Sequence, residues 1–120
     1  MSVPPLIARD TARLRQLLDV AALRQEVIAS NIANASTANY QRRTVRFEDM
    51  FREALATKGR VDEVEPRVEV DKTPGAGPNQ NNVTRERELA DLSANALRYE
   101  LLARAGTVKL GILRAAIEGR

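Results

Sequence analysis

The sequence predicts a mainly α-helical protein in which two long terminal helices pair as an antiparallel coiled-coil hairpin. Residues 84–118 contain no proline, and apolar residues recur along them in steps of three and four over about four heptads. Residues 6–35 contain neither proline nor glycine and carry an apolar stripe of their own. Residues 60–82, in contrast, are rich in proline, glycine and asparagine, which is typical of an irregular segment.

The first predicted helix covers about residues 5–35. Pro4 and Pro5 stand at its start, where a missing backbone N–H is tolerated. At a rise of 1.5 Å per residue, this helix would be about 45 Å long, which suits a coiled-coil arm. Its stripe consists of Leu14, Leu18, Ala21, Ile28, Ile32 and Ala35, interrupted by Gln25.

A polar stretch, residues 30–42, ends this helix. Its Ser, Asn and Thr side chains compete with the backbone for helical hydrogen bonds. Asn39 suits a left-handed position that closes a turn. Local physics alone indicates a polar helix end followed by a turn.

The middle of the chain holds a short amphipathic helix and a linker. Residues 44–59 place Phe47 and Phe51 on one helical face, and Thr44 is expected to cap the helix. After it, residues 68–70 suit a short extended piece, and residues 73–82 are expected to be mobile in a free monomer.

The C-terminal helix carries more apolar surface than one partner covers. Thr84 is its expected N-cap, and Glu86 and Glu88 favour its first turns. A heptad seam is expected to meet a partner within the chain, and a second line to meet neighbouring subunits. The seam is Leu89, Leu92, Ala96, Tyr99, Ala103, Gly106, Leu110, Leu113 and Ile117. The second line is Ala94, Leu97, Leu101, Ala105, Val108, Ile112 and Ala115.

Composition excludes several classes of function. The chain has no Cys and no His, which removes thiolate chemistry, the commonest general base and the commonest metal ligand. We find no catalytic constellation and predict no enzyme activity, no cofactor and no metal. The 19 basic and 16 acidic residues are spread along the chain, so we predict no nucleic-acid binding. No apolar run approaches the ~18 residues of a membrane span, and the N-terminus lacks the pattern of a cleaved signal peptide.

The length fits one small structural domain in three segments. Residues 1–42 form the N-terminal helix and polar corner, residues 43–82 the short helix and linker, and residues 83–120 the heptad helix. We expect this single domain to be completed by assembly.

Two stretches resemble the terminal signatures of flagellar rod and hook axial proteins. Residues 30–40, Ser-Asn-Ile-Ala-Asn-Ala-Ser-Thr-Ala-Asn-Tyr, are similar to S/N-N-I/L-A-N-x-x-T-P-G-Y, and residues 82–117 are similar to the C-terminal signature. The short length and residues 25–31 indicate the proximal-rod branch. This chain has Ala38-Asn39 where the family has Pro-Gly. Asparagine is the best substitute for glycine where φ is positive, so we expect the turn to survive. Without the proline, which would stop a helix, the first helix could run a residue or two further. The motif residues are Asn31, Ile32, Ala33, Asn34, Thr37, Asn39 and Tyr40.

The resemblance implies a structural subunit of the proximal rod of the bacterial flagellar basal body. Such subunits would be exported unfolded through the flagellar type III export apparatus without a cleaved signal. They would assemble helically in the periplasm, transmit torque and enclose the export channel. The implied partners are copies of the chain, other rod proteins, the adaptor joining ring to rod, and the membrane-embedded ring. No small-molecule substrate is implied.

The resemblance also implies two interfaces for the C-terminal helix. Its seam would pack on residues 14–32 of the first helix, and its second line would contact neighbouring subunits. Two other classes stay open on the sequence alone: a soluble helical-hairpin adaptor that binds a partner helix, and a basic helical protein bound to nucleic acid. The expected interface residues are Leu14, Leu18, Ile28, Leu89, Leu92, Tyr99, Leu101, Gly106, Val108, Leu110, Ile112, Leu113 and Ile117.

Overall fold

A computed structural model describes residues 5–119 and confirms the mainly α-helical fold. Residues 1–4 and 120, which include Pro4 and the outer ends of the first and last predicted segments, lie outside the described residues. The molecule is elongated, with extents of 65 × 32 × 17 Å. Its elements in chain order are α1 (Pro5–Ala33), β1 (Arg43–Arg46), α2 (Glu48–Ala56), a 3-10 turn (Val61–Glu63), β2 (Arg67–Val70) and α3 (Arg85–Glu118).

Helices α1 and α3 pack side by side and run in opposite directions. The C-terminal end of α1 meets the start of α3, where Asn31 bonds to Glu88. The N-terminal end of α1 meets the far part of α3, where the Lys109 Nζ atom lies 2.9 Å from an Asp10 carboxylate oxygen. The predicted antiparallel hairpin is therefore confirmed.

The predicted seam of α3 is only half right. Leu92, Gly106 and Leu113 are half-buried, as expected, but Leu89, Leu110 and Ile117 are 47%, 66% and 69% exposed. The residues that turn toward α1 at the alternate positions are Glu88, Asn95, Leu102 and Lys109. Because three of these four are polar, a search for apolar periodicity passes over them and selects their apolar neighbours instead.

Helix α1 ends at Ala33, two residues before the predicted end at residue 35. The expectation that it runs a residue or two further than in the family, without the family proline, stays a prediction. The Ser30 carbonyl accepts both the backbone N–H of Asn34 at 3.1 Å and its side-chain Nδ2 at 2.9 Å, and the next N–H, of Ala35, donates to the Ile32 carbonyl in a turn. Asn39 has φ of 61°, which confirms the predicted left-handed turn residue.

The middle segment contains more regular structure than predicted. Thr44 is not a helix cap, because it lies in β1, which pairs antiparallel with β2 from Arg43↔Val70 to Arg46↔Arg67. Helix α2 consequently begins at Glu48 and ends at Ala56. The extended piece predicted at residues 68–70 is confirmed as part of β2.

The hydrophobic core is small. Its buried apolar members are Val20, Ala21 and Val27 of α1 and Phe47 before α2. The ring of Phe51 lies 5.6 Å from that of Phe47, and the Arg13 guanidinium carbon lies 4.6 Å from the Phe51 ring centroid. Such a core buries little apolar surface, so polar contacts determine much of the arrangement of the helices and strands. Within residues 5–119, no helix combines the length and the hydropathy that a bilayer span requires.

Candidate functional site: a buried polar corner

Asn31 is the centre of a polar cluster where α1, β1 and α3 meet. Its residue surface is 0% exposed, and all four hydrogen-bonding positions of its amide are used. Its Nδ2 donates to the Arg43 carbonyl at 2.7 Å and to Glu88 Oε2 at 3.2 Å. Its Oδ1 accepts from the Arg43 N–H at 2.9 Å and from the Tyr40 hydroxyl at 3.1 Å. One side chain thus fixes the end of α1 to the start of β1.

Glu88 is a fully buried carboxylate in the first turns of α3. Arg42 Nε donates to Glu88 Oε1, while Asp71 and Asp91 lie 3.6 and 3.8 Å from the same guanidinium. Burial opposes the charge on Arg42, but the hydrogen bond and attraction from Glu88 raise the pKa of Arg42 above its ordinary value. The pair compensates a charge that could not otherwise be buried.

Two asparagines attach the loop before α3 to the same corner. Asn81 Nδ2 donates to the Asn34 and Thr37 carbonyls, both at 2.8 Å. Asn82 Nδ2 donates to the Asp71 and Thr73 carbonyls at 2.8 and 2.9 Å. The Asn34 and Thr37 carbonyls also accept the backbone N–H groups of Thr37 and Tyr40, so the Asn81 amide adds a second donor to each. The segment predicted as a linker is therefore anchored at its C-terminal end.

The structure brings most of the predicted motif residues together. Asn31 and Tyr40 bond directly to each other, and Thr37 Oγ1 donates to Asn34 Oδ1 at 3.2 Å. Asn39 lies at the edge of the cluster, where its N–H donates to the Asn79 carbonyl at 2.8 Å. Two motif residues make no polar contact through their apolar side chains: half-buried Ile32 and exposed Ala33.

The predicted interface residues divide into two groups along the hairpin. Those in contact with the chain's own helices are half-buried: Leu14, Leu18, Ile28, Leu92, Gly106 and Leu113. The others are exposed to solvent: Leu89, Tyr99, Leu101, Val108, Leu110, Ile112 and Ile117. The two helices approach each other closely at Gly106, since a Cβ added there would lie 3.1 Å from Leu14 Cδ2.

Sequence reasoning missed several residues of the site. The sequence does not indicate that Arg42 and Glu88 pair, because they are 46 residues apart and Glu88 also fits the ordinary place of an acid in a first helical turn. Asn81 and Asn82 lie in a segment whose composition is typical of a linker. A usable signal was the polar interruption of each seam, at Gln25 in the first helix and at position 95 between seam positions 92 and 99.

Comparison with known proteins gives the family. The model of the family "Flagella basal body rod protein" matches residues 18–41, which contain the end of α1 and the motif of the corner. The flagellar basal body rod protein FlgB of Aquifex aeolicus is 34% identical over 103 residues, which cover 81% of this chain and 83% of that protein.

Two further FlgB proteins agree. That of Borreliella burgdorferi is 30% identical over 105 residues, covering 71% of this chain and 78% of the relative. That of Bacillus subtilis is 27% identical over 117 residues, covering 88% of this chain and 91% of the relative. The helical hairpin, the corner motif and these matches, which extend along most of both chains, lead to one assignment: this chain belongs to the FlgB family of flagellar basal body rod proteins and is a structural subunit of the rod.

Proposed function

We propose that this rod subunit assembles helically, with copies of itself and with other rod proteins, through the exposed apolar line of α3. The observation that carries the proposal is the exposure of four large side chains along this helix. Leu97 is 58% exposed, Leu101 59%, Val108 62% and Ile112 66%. Large apolar side chains repeated along one helix at spacings of four and seven are typical of a protein interface.

The shape of the hairpin suits a mechanical role. A shaft that transmits torque needs each subunit to hold several neighbours through different faces, since head-to-tail contacts generate helical assemblies. The two long helices form a body 65 Å long. In the proposed rod, α3 encloses the export channel and the exposed line meets the next subunits.

Export and location follow from the same proposal. The subunit would pass the flagellar type III export apparatus without losing a signal peptide, and would join the periplasm-spanning rod on the membrane-embedded ring through the ring–rod adaptor protein. A small core supports this route, because a chain that buries little apolar surface unfolds readily for transport. In this proposal, residues 1–42, 43–82 and 83–120 are three parts of one domain that assembly completes.

The test is a charge placed on the apolar line. We expect Leu101→Asp to abolish rod assembly and motility while secretion of the subunit into the medium continues, because Leu101 is exposed in the single chain. Ser93→Asp is the matched control, since it adds the same charge at an exposed position of α3 outside the apolar line.

Rods that form normally with Leu101→Asp would show that the line is not a subunit interface. A chain that is never secreted by cells with an intact flagellar export gate, and that binds a helical partner in the cytoplasm instead, would favour the adaptor function.

A further inference from the structure

Three polar side chains occupy equivalent heptad positions on the face of α3 that meets α1. Glu88 and Asn95 are one heptad apart, and Lys109 is two heptads further on. Each has a different polar partner in the opposite helix: Glu88 bonds to Asn31, Asn95 to Gln25 and Lys109 to Asp10. We name Glu88, Asn95 and Lys109 the polar row. An apolar Leu102 fills the remaining equivalent position between Asn95 and Lys109.

Asn95 is the member of the polar row that stability alone does not explain. It is 2% exposed, and its Nδ2 donates to the Ala21 carbonyl and to Gln25 Oε1, both at 2.8 Å. Its Oδ1 has no hydrogen-bond partner within the described residues. Rotating the amide by 180° would not give Oδ1 a donor, because it would place Oδ1 beside the Ala21 carbonyl, which is itself an acceptor. A buried acceptor without a partner destabilises a fold, so leucine would pack better at this position.

A slip of α3 along α1 by one heptad mismatches every member of the polar row. In one direction, the Glu88 carboxylate reaches the Ala21 carbonyl, and two acceptors face each other. In the other direction, Asn95 takes the place of Glu88 beside Arg42, whose charge loses its buried carboxylate. Both slips separate Lys109 from Asp10. An apolar seam would tolerate these slips, since leucine meets leucine in every register.

We propose that the polar row is the register determinant of the hairpin, and that Asn95 excludes slipped pairings at the expense of stability. This goes beyond membership of the rod. The register sets the distance between the polar corner at one end and the exposed apolar line at the other, so every subunit presents the two surfaces in the same relation.

Disulfide trapping in the full chain tests the proposal, because the natural chain contains no cysteine. Leu14→Cys with Gly106→Cys reports the native register, since these positions are in contact. Leu14→Cys with Tyr99→Cys reports a slip in one direction, and Leu14→Cys with Leu113→Cys reports a slip in the other. The measured quantity is the yield of each slipped disulfide relative to the native one under mild oxidation.

Two variants of the polar row give distinct expectations. Asn95→Leu should raise both slipped disulfides about tenfold. Asn95→Leu combined with Leu102→Asn moves the amide by one heptad and should raise the Leu113→Cys product selectively, because that slip returns the amide to Ala21 and Gln25. Ala96→Leu is the matched control, since it adds leucine at the adjacent exposed position and should leave all three yields unchanged.

Two results would overturn the proposal. If both variants keep the slipped disulfides at the level of the unchanged chain, the polar row makes local contacts without selecting the register. If circular dichroism shows that Asn95→Leu no longer folds, Asn95 is required for folding itself. The expected result is a variant of unchanged helix content, with a melting temperature equal to or above that of the natural chain.

Discussion

The two ends of the hairpin are built on opposite principles. At the corner, a buried amide and a buried carboxylate, Asn31 and Glu88, have their hydrogen-bonding groups met by the chain itself. At the distal end, large apolar side chains such as Leu110 and Ile117 are 66% and 69% exposed. The corner is complete in one chain, whereas the distal half of α3 is completed by neighbours in the proposed rod. Mutations at the two ends should therefore act at different levels of organisation.

The largest expected effect on the single chain is at Glu88. Glu88→Ala leaves Arg42 without its buried partner and should lower the free energy of unfolding by about 3 kcal/mol, measured by urea denaturation. Glu86→Ala is the control in the same helical turn; Glu86 is exposed, so the change should be within about 0.5 kcal/mol.

The corresponding truncation at the distal end is Leu110→Ala. Because Leu110 is 66% exposed, its truncation should change the unfolding free energy of the isolated chain by less than about 0.5 kcal/mol. A loss as large as that of Glu88→Ala would mean that the distal end is already complete in one chain.

Asn31→Ala should come second in size. It leaves the Tyr40 hydroxyl and both backbone groups of Arg43 without their partner, and we expect a loss of about 2 kcal/mol in urea denaturation. Asn79→Ala is a control among the loop asparagines, since that side chain is exposed and accepts only a local bond from Asn81. Equal losses for both variants would contradict the central position of Asn31.

The two glycines of α3 should respond differently to alanine. Gly111→Ala should raise the free energy of unfolding by about 1 kcal/mol, because alanine favours the helix and no described atom lies within 4 Å of the added Cβ. Gly106→Ala should gain less or lose stability, since its Cβ would meet Leu14 Cδ2 at 3.1 Å. Thermal unfolding of the matched pair measures the difference, and identical gains would show that α1 and α3 do not approach closely at Gly106.

The smallest expected effect is the pH dependence contributed by Glu48. The hydrogen bonds from Arg24 lower the pKa of this carboxyl, although partial burial opposes the shift. A folded-state pKa below the unfolded value contributes stability above the unfolded pKa, about 4.3, and this contribution is lost as pH falls through the folded value. Arg24→Met should therefore flatten the decline in melting temperature as the pH falls below about 4.3. A decline as steep as that of the natural chain would exclude the contribution of Arg24.

Periodicity predicts the helices well and the faces of the helices less well. The absence of proline and the heptad spacing identify α1 and α3, since both are properties of neighbouring residues. At alternate positions, the predicted seam of α3 lies one residue away from the face that contacts α1. Asn95 and Lys109 occupy that face, where an apolar residue is expected, and their polar partners lie in α1. The pairing of β1 with β2, which moved Thr44 from a cap to a strand, likewise depends on residues far along the chain.

The corner was only partly predictable for the same reason. The motif identified Asn31 and Tyr40 by resemblance, and their bond confirms that they lie together. Arg42, Asn81 and Glu88 escaped because their types are ordinary in a turn, a loop and a first helical turn. Only the fold shows that these residues converge on one buried point.

The sequence distance across the hairpin has a consequence for when the subunit can fold. Asn31 and Glu88 are 57 residues apart, and Asn95 and Ala21 are 74 apart. Contacts this distant form slowly, because a long loop must close before any of them contributes. A chain whose last third is still held elsewhere, on a ribosome or inside a narrow conduit, contains α1 and its contacts with β1 but none of its partners in α3. The pairing of α1 with α3 is therefore expected to begin only once the whole chain is free.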